Sequence, residues 1–141
     1  MMEIRVFALQ DSAAVVQLWH DCGLYRPWND PHKDIARKLS VSPELFWVGI
    51  DEQGELMASI MVGYDGHRGW INYLAVHPKY QRQGHARQLM QRAEAELTAL
   101  GCPKLNLQVR AGNEAVIAFY ESLGYGDDQT VSLGKRLIPD L

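Results

Sequence analysis

Seven residues in this sequence have types and spacing suited to chemistry: Gln81-Arg82-Gln83-Gly84-His85-Ala86, followed by Arg87. A polar loop runs into a helical pattern through a single glycine. The first-turn N–H groups of a helix have no intrahelical partner, and the helix dipole adds partial positive charge at that end. Such a stretch is therefore a recipe for an anion site. Other phosphate loops fit poorly, because the chain contains no GxxxxGK[ST] and no GxGxxG after a first strand. An ordinary strand-loop-helix unit without a ligand shares the same outline.

The flanking elements would have to position that loop. Residues 70–76 are an apolar strand that breaks at His77-Pro78, since proline lacks the N–H needed to continue a ladder. From Gly84 the period is helical, with Ala86, Leu89, Met90, Ala93, Leu97 and Leu100 on one face and Gly101 at the C-cap.

The chain has 141 residues, 47% hydrophobic and 22% charged, with a formal charge of -3; this reads as one ordinary globular domain, 1–141. The charge gives no reason to expect nucleic acid or an anionic membrane as a partner. No apolar run is long enough for a membrane span and no signal peptide opens the chain, so a cytoplasmic location is expected. Cys22 and Cys102 lie far apart without metal-ligand spacing and read as inert thiols; no metal is expected.

Taken in order, residues 2–8 alternate as a first strand, and Asp11-Ser12 precede a helix carrying Val15, Leu18 and Trp19. An irregular segment follows, with Tyr25 and Trp28 between two prolines. Asp30-Pro31 then suit the N-cap and first position of a second helix, 31–41. The two aromatics either pin that loop to the core or form one wall of a substrate pocket. Residues 45–50 and 56–64 are strands joined by a turn over 51–54, the second apolar on both faces as expected of a central strand. After Gly101, Leu105, Leu107 and Val109 alternate with Asn106, Gln108 and Arg110 in a strand with one polar face. Asn113 precedes a fourth helix, 114–123, and closing strands are expected from Tyr125 onward and over 131–137.

The hexapeptide 81–86 resembles motif A, (Gln/Arg)-x-x-Gly-x-(Gly/Ala), of the GCN5-related N-acetyltransferases, the GNAT superfamily. Residues 113–125, with Asn-x6-Tyr spacing and the ending FYESLGY, resemble motif B of the same superfamily. The opening LYRPWNDP and the turn GYDGHRG look like its YpeA-type bacterial subgroup. Motifs A and B are similar to those of acetyltransferases that modify ribosomal-protein N-termini. The resemblance implies an α+β fold of α/β/α layers, with a mixed, mostly antiparallel central sheet and about four helices. It also implies acetyl-CoA as co-substrate and an amine acceptor of unknown identity, and it leaves room for a homodimer.

In that family an amine attacks the thioester carbonyl, a tetrahedral oxyanion forms and a thiolate leaves. The resemblance places the oxyanion donor on the strand end Leu74-Ala75-Val76, where one main-chain N–H is worth roughly 3 kcal/mol. It assigns cofactor contacts to Leu74, Ala75, Val76, Gln81, Arg82, Gln83, Gly84, His85, Ala86, Arg87, Asn113 and Tyr120. It also makes Tyr120 the general acid; a tyrosine pKa near ~10 keeps the phenol protonated at neutral pH. Two plainer roles stand beside these: Asn113 as an N-cap, and Tyr120 as a core aromatic next to Phe119. Tyr25, Trp28, Asn72 and Gln108 are the expected acceptor contacts.

The ribosomal-type enzymes carry a glutamate five residues before the motif-B asparagine, where this chain has Gln108. An amide cannot take a proton from an ammonium. An α-amine with pKa ~8 is roughly one-tenth neutral at pH 7, against less than about one-thousandth for a lysine near ~10.4. Lack of a base thus leans towards a low-pKa amine or a base from elsewhere, with Asp30, His32, Asp65 and His67 as loop candidates. A non-catalytic acyl-CoA-binding module is the alternative reading.

Overall fold

The structure is a computed structural model describing residues 1–140. Its centre is a 5-stranded sheet in the order β1-β2-β3-β4-β5. The strands are β1 (Glu3–Val6), β2 (Phe46–Ile50), β3 (Leu56–Tyr64), β4 (Gly69–Val76) and β5 (Leu105–Leu107). The first four are antiparallel and β5 runs parallel to β4. Helices α1 (Ser12–Asp21) and α2 (Pro31–Leu39) cover one face, and α3 (His85–Ala99) and α4 (Glu114–Ser122) the other. This is the expected layered α+β fold.

Alternation on β3 builds both cores at once. Ile60 and Val62 pack with Leu89, Met90, Ala93 and Leu97 of α3. Met61 packs with Val15, Leu18 and Trp19 of α1 on the other face. Asp30 caps α2 through bonds from the N–H groups of His32 (2.9 Å) and Lys33 (3.4 Å), with Pro31 at the first position. Cys22 and Cys102 are free thiols; Cys22 donates to Val76 O, and burial pushes its pKa up. Among the described residues no helix is long and apolar enough to cross a membrane.

Two departures from expectation shape the site. Met61 pairs with Asn72 but Ser59 with Ala75, so Tyr73 and Leu74 both stand opposite Ile60 in a β-bulge. Tyr73 has φ 52° there. The bulge turns the end of β4 away, and β5 stays paired only from Gly69–Leu105 to Ile71–Leu107. The polar-faced strand is consequently shorter than its alternation suggests.

The closing strands over 125 onward and 131–137 do not form. Gln129 adopts φ 57°, and no backbone hydrogen bond joins this segment to β5. Side chains tie it instead: Asp128 accepts from Lys104 Nζ and Asn106 Nδ2, each at 2.8 Å, and Gln108 Nε2 donates to Ser132 Oγ. Val131, Leu133 and Leu137 stay more than four-fifths exposed. Further on, Arg136 Nη2 donates to Asn29 Oδ1, and Arg37 grips the Asp140 carboxylate.

Candidate active site

The loop between β4 and α3 is built from main chain. A 3-10 turn, Pro78–Tyr80, follows His77, whose ring accepts from Lys79 N–H. Tyr80 Oη donates to Asp51 Oδ2 at 2.6 Å and ties the turn to the β2–β3 hairpin, while Gln81 Nε2 donates to Val76 O at 3.0 Å. Arg82 (φ 63°) and Gly84 (φ 83°) then reverse the chain into α3. A Cβ on Gly84 would meet nothing, so its left-handed backbone, not space, calls for glycine.

The first helical bond at this end runs from Gln88 N–H to Gly84 O, and Gly84 offers no side-chain cap. Among the described residues nothing accepts from the N–H groups of Gln83, Gly84, His85, Ala86 or Arg87. A run of free donors at a helix N-terminus fits a pyrophosphate. The Arg82 and Arg87 side chains are exposed beside it. The His85 ring is buried edge-on against Tyr80, so His85 offers an anion its N–H and not its imidazole.

The end of β4 supplies a second row of donors. His77 N–H bonds Met57 O, so by alternation the N–H of Ala75 faces β3. Those of Leu74 and Val76 face the gap where β5 has parted. Of the three expected contacts on this strand, Leu74 and Val76 are thus presented and Ala75 is not.

Tyr120 of α4 belongs to the same core cluster as Val76, 9% exposed, with Phe119 and Tyr125 edge-on at 5.0 and 5.8 Å. Burial alone pushes its phenol up to about 12, so it holds its proton throughout the neutral range. Its place is both core aromatic and potential donor. Asn113 stands at the N-cap of α4 but makes no side-chain cap bond and is exposed, leaving its amide free. A cavity of about 830 Å³ runs along the open edge of β5, lined among others by Trp70, Asn106, Gln108, Tyr120 and Asp128. Asn106 Oδ1 is buried there without a partner among the described residues.

The opposite face of β4 carries side chains. Trp28 and Tyr25 are 55% and 43% exposed, so they do not pin their loop to the core. Tyr25 stacks on His20, and the Arg110 guanidinium lies 5.9 Å from the Trp28 ring centroid, linking this loop to the chain beyond β5. Asn72 is exposed beside the bulge. Gln108 lines the larger cavity instead, its amide occupied by Ser132.

Of the four loop candidates for a base, three are engaged or lie at the other end of β4. Asp65 accepts from His67 N–H, Arg68 N–H and Trp70 Nε1, bonds that hold its carboxyl below the usual range, and it sits with His67 in the turn at the strand's opposite end. Asp30 is taken up by its cap. His32 is exposed at the start of α2, lining a smaller cavity with His20, Tyr25 and Asp140.

Sequence reasoning passed over Asn29, Asp34, Tyr73 and Arg136, which the fold gathers into one network. Tyr73 Oη donates to Asp34 Oδ2 at 2.7 Å and accepts from Asn29 Nδ2 at 3.0 Å, and Arg136 reaches Asn29 at 2.8 Å. The available signal was a tyrosine hydroxyl, next to Asn72, on a strand otherwise apolar to its end. Among the described residues no group of three or more His, Cys, Asp or Glu is placed to hold a metal ion.

Comparison with known proteins agrees with the fold. The family model described as "Acetyltransferase (GNAT) family" matches residues 13–125. An acetyltransferase of Yersinia pestis (strain Pestoides F) is 53% identical over 139 residues, 99% of this chain and 98% of that protein. One of Sodalis glossinidius is 54% identical over 140 residues, with the same coverage of 99% and 98%. The crystal structure of the ribosomal-protein-S18-alanine N-acetyltransferase from Escherichia coli superposes with a TM-score of 0.73 at 30% identity. That match covers 88% of this chain and 77% of that one.

Proposed function

The chain belongs to the acetyltransferase (GNAT) family, and from that premise we propose that it moves the acetyl group of acetyl-CoA to a primary amine by direct attack. The acceptor amine belongs to a small molecule, a peptide or a protein. The observation that carries this reading is the run of unpartnered N–H groups over 83–87 beside a β4 end from which β5 has parted. Acetyl-CoA supplies an activated acyl carbon with a thiolate leaving group.

The chain's own residues do the rest. The N–H groups of the loop, with Arg82 and Arg87, bind the pyrophosphate. Leu74 N–H, fixed by the bulge, faces the developing oxyanion, and preorganised donors of this kind cost no reorganisation at the moment of reaction. Tyr120 holds the proton that the departing sulfur needs. Trp28, Tyr25 and Asn72 orient the acceptor from the other face, and Asn113 contacts the cofactor at the start of α4.

The test is acetyl-CoA turnover, followed as thiol release, with N-terminal peptides, lysine peptides, polyamines, amino acids and aminoglycosides from pH 6 to 9. Turnover with one class, rising with the neutral fraction of its amine, is the expected result. Silence across every class with acetyl-CoA still bound would favour the acyl-CoA-binding module, the reading to which the Gln108 amide lends its weight.

A further inference from the structure

Gln108 leaves the acetyl-transfer reading without a proton acceptor, and the α1–α2 face of β4 supplies one. Tyr73 lies in the bulge next to Leu74, and its backbone is held from several sides. Its ring is flat on Trp19, centroids 3.7 Å apart at 13°. Its carbonyl accepts from Ser59 Oγ at 2.9 Å, and Ser59 in turn accepts from Trp19 Nε1 at 2.9 Å. A non-glycine residue at φ 52° persists where its surroundings over-determine it, and such residues cluster at functional sites.

The Tyr73 hydroxyl ends on Asp34 Oδ2, which also accepts from Asn29 Nδ2. Arg37 Nη1 takes the other oxygen, Oδ1, at 3.2 Å, so the carboxylate is oriented without being closed off. The Asp34 side chain is 21% exposed and open to water. The charged groups bonded into the same network are Arg136 on Asn29, Asp140 between Arg37 and Arg136, and Asp30, whose N–H bonds Asp140. Arg110 stands at Trp28. Asp34 is the carboxylate in this set with a hydroxyl between it and the bulge.

We infer that Tyr73 takes the proton from the attacking amine while passing its own to Asp34. An N–H bond of the bound ammonium breaks, leaving the nitrogen its lone pair for attack on the acyl carbon, and that proton goes to Tyr73 Oη. The Tyr73 O–H bond breaks in the same movement and its proton goes to Asp34 Oδ2. The second N–H proton, shed as the thiolate leaves, restores the one Tyr120 gives to sulfur. Asp34 ends neutral and returns the proton to water. Burial, and then the Asp34 carboxylate, hold the Tyr73 phenol well above its ordinary range, so Tyr73 relays protons and does not rest as a phenolate. Tyr73 touches the amine, and Asp34 acts through it. This inference rests on the acetyl-transfer reading.

The test compares wild type, Tyr73→Phe and Asp34→Asn with two probes at pH 7: glycinamide, largely an ammonium, and hydroxylamine, a neutral nucleophile. Both variants should bind acetyl-CoA like wild type, lose about 100-fold in glycinamide turnover and less than about threefold with hydroxylamine. Tyr73→Phe keeps the Trp19 stack, so it carries the test alone if Asp34→Asn fails to fold. Equal losses on both probes would mean a structural role, and no loss would mean an idle pair; either overturns the inference. Wild type active on hydroxylamine alone would show that no proton acceptor operates, and would overturn it too. Wild type inactive on both, with acetyl-CoA bound, would bring down the acetyl-transfer reading and the dyad with it.

Discussion

The two faces of the β4 end are built from different material. On the α3 side the candidate cofactor site is main chain: free N–H groups over 83–87 and the inward N–H groups of Leu74 and Val76. On the α1–α2 side the candidate acceptor site is side chains: Asn29, Asp34, Tyr73 and Arg136, drawn from three separate stretches and joined by hydrogen bonds. A main-chain site needs one backbone path and tolerates most side chains along it. A side-chain site needs each residue type in place. The first suits a constant ligand, and the second is where acceptor specificity can vary.

The largest effect expected falls between the two faces. Tyr120→Phe removes the proton donor without changing the packing of the ring, and turnover should drop at least about 100-fold while calorimetry shows unchanged acetyl-CoA affinity. A variant that turns over normally would remove Tyr120 from the chemistry.

Next comes a test of the main-chain side. Gly84→Val forces a β-branched residue into φ 83°, a cost of roughly 1–2 kcal/mol that should weaken acetyl-CoA binding about tenfold. Gln83→Ala, which spares the backbone, should change the dissociation constant less than about twofold. If the two variants weaken binding alike, the loop works through side chains and the contrast between the faces fails.

A smaller effect is expected where the side-chain face is anchored. Ser59 is fully buried and links Trp19 Nε1 to the Tyr73 carbonyl. Ser59→Ala leaves both without partners and should cost about 1–3 kcal/mol in urea denaturation. A neutral result would mean that the bulge does not depend on this bridge.

The smallest effect concerns the C-terminal clasp. Arg37 first, and then the Asp30 N–H, lower the Asp140 carboxyl from 3.8 to about 2. A depressed folded-state pKa stabilises above the unfolded value and loses that contribution as pH falls through the folded one. Wild type should therefore lose stability between about pH 4 and pH 2 more steeply than Asp140→Asn, as followed by thermal melting across that range. Parallel curves would show that the clasp contributes nothing to folding.

The sequence by itself determined whatever local pattern dictates. The period change at Gly84, the break at His77-Pro78 and the Asp30-Pro31 cap placed α3, the loop and α2 nearly to the residue. The candidate anion loop was legible because its donors are consecutive along the chain. Only the tertiary structure decided the bulge at Tyr73, because a register shift belongs to a pair of strands and not to either one. It also decided the fate of the 125–140 segment. The alternation of Val131, Leu133 and Leu137 suits a strand, yet the segment meets β5 through Asp128 and Ser132 side chains and makes no ladder with it. Nothing in the local pattern singles out Tyr73 on its strand or Asp34 on its helix. Their meeting at 2.7 Å joins residues 39 apart in sequence, a distance over which no local periodicity carries information.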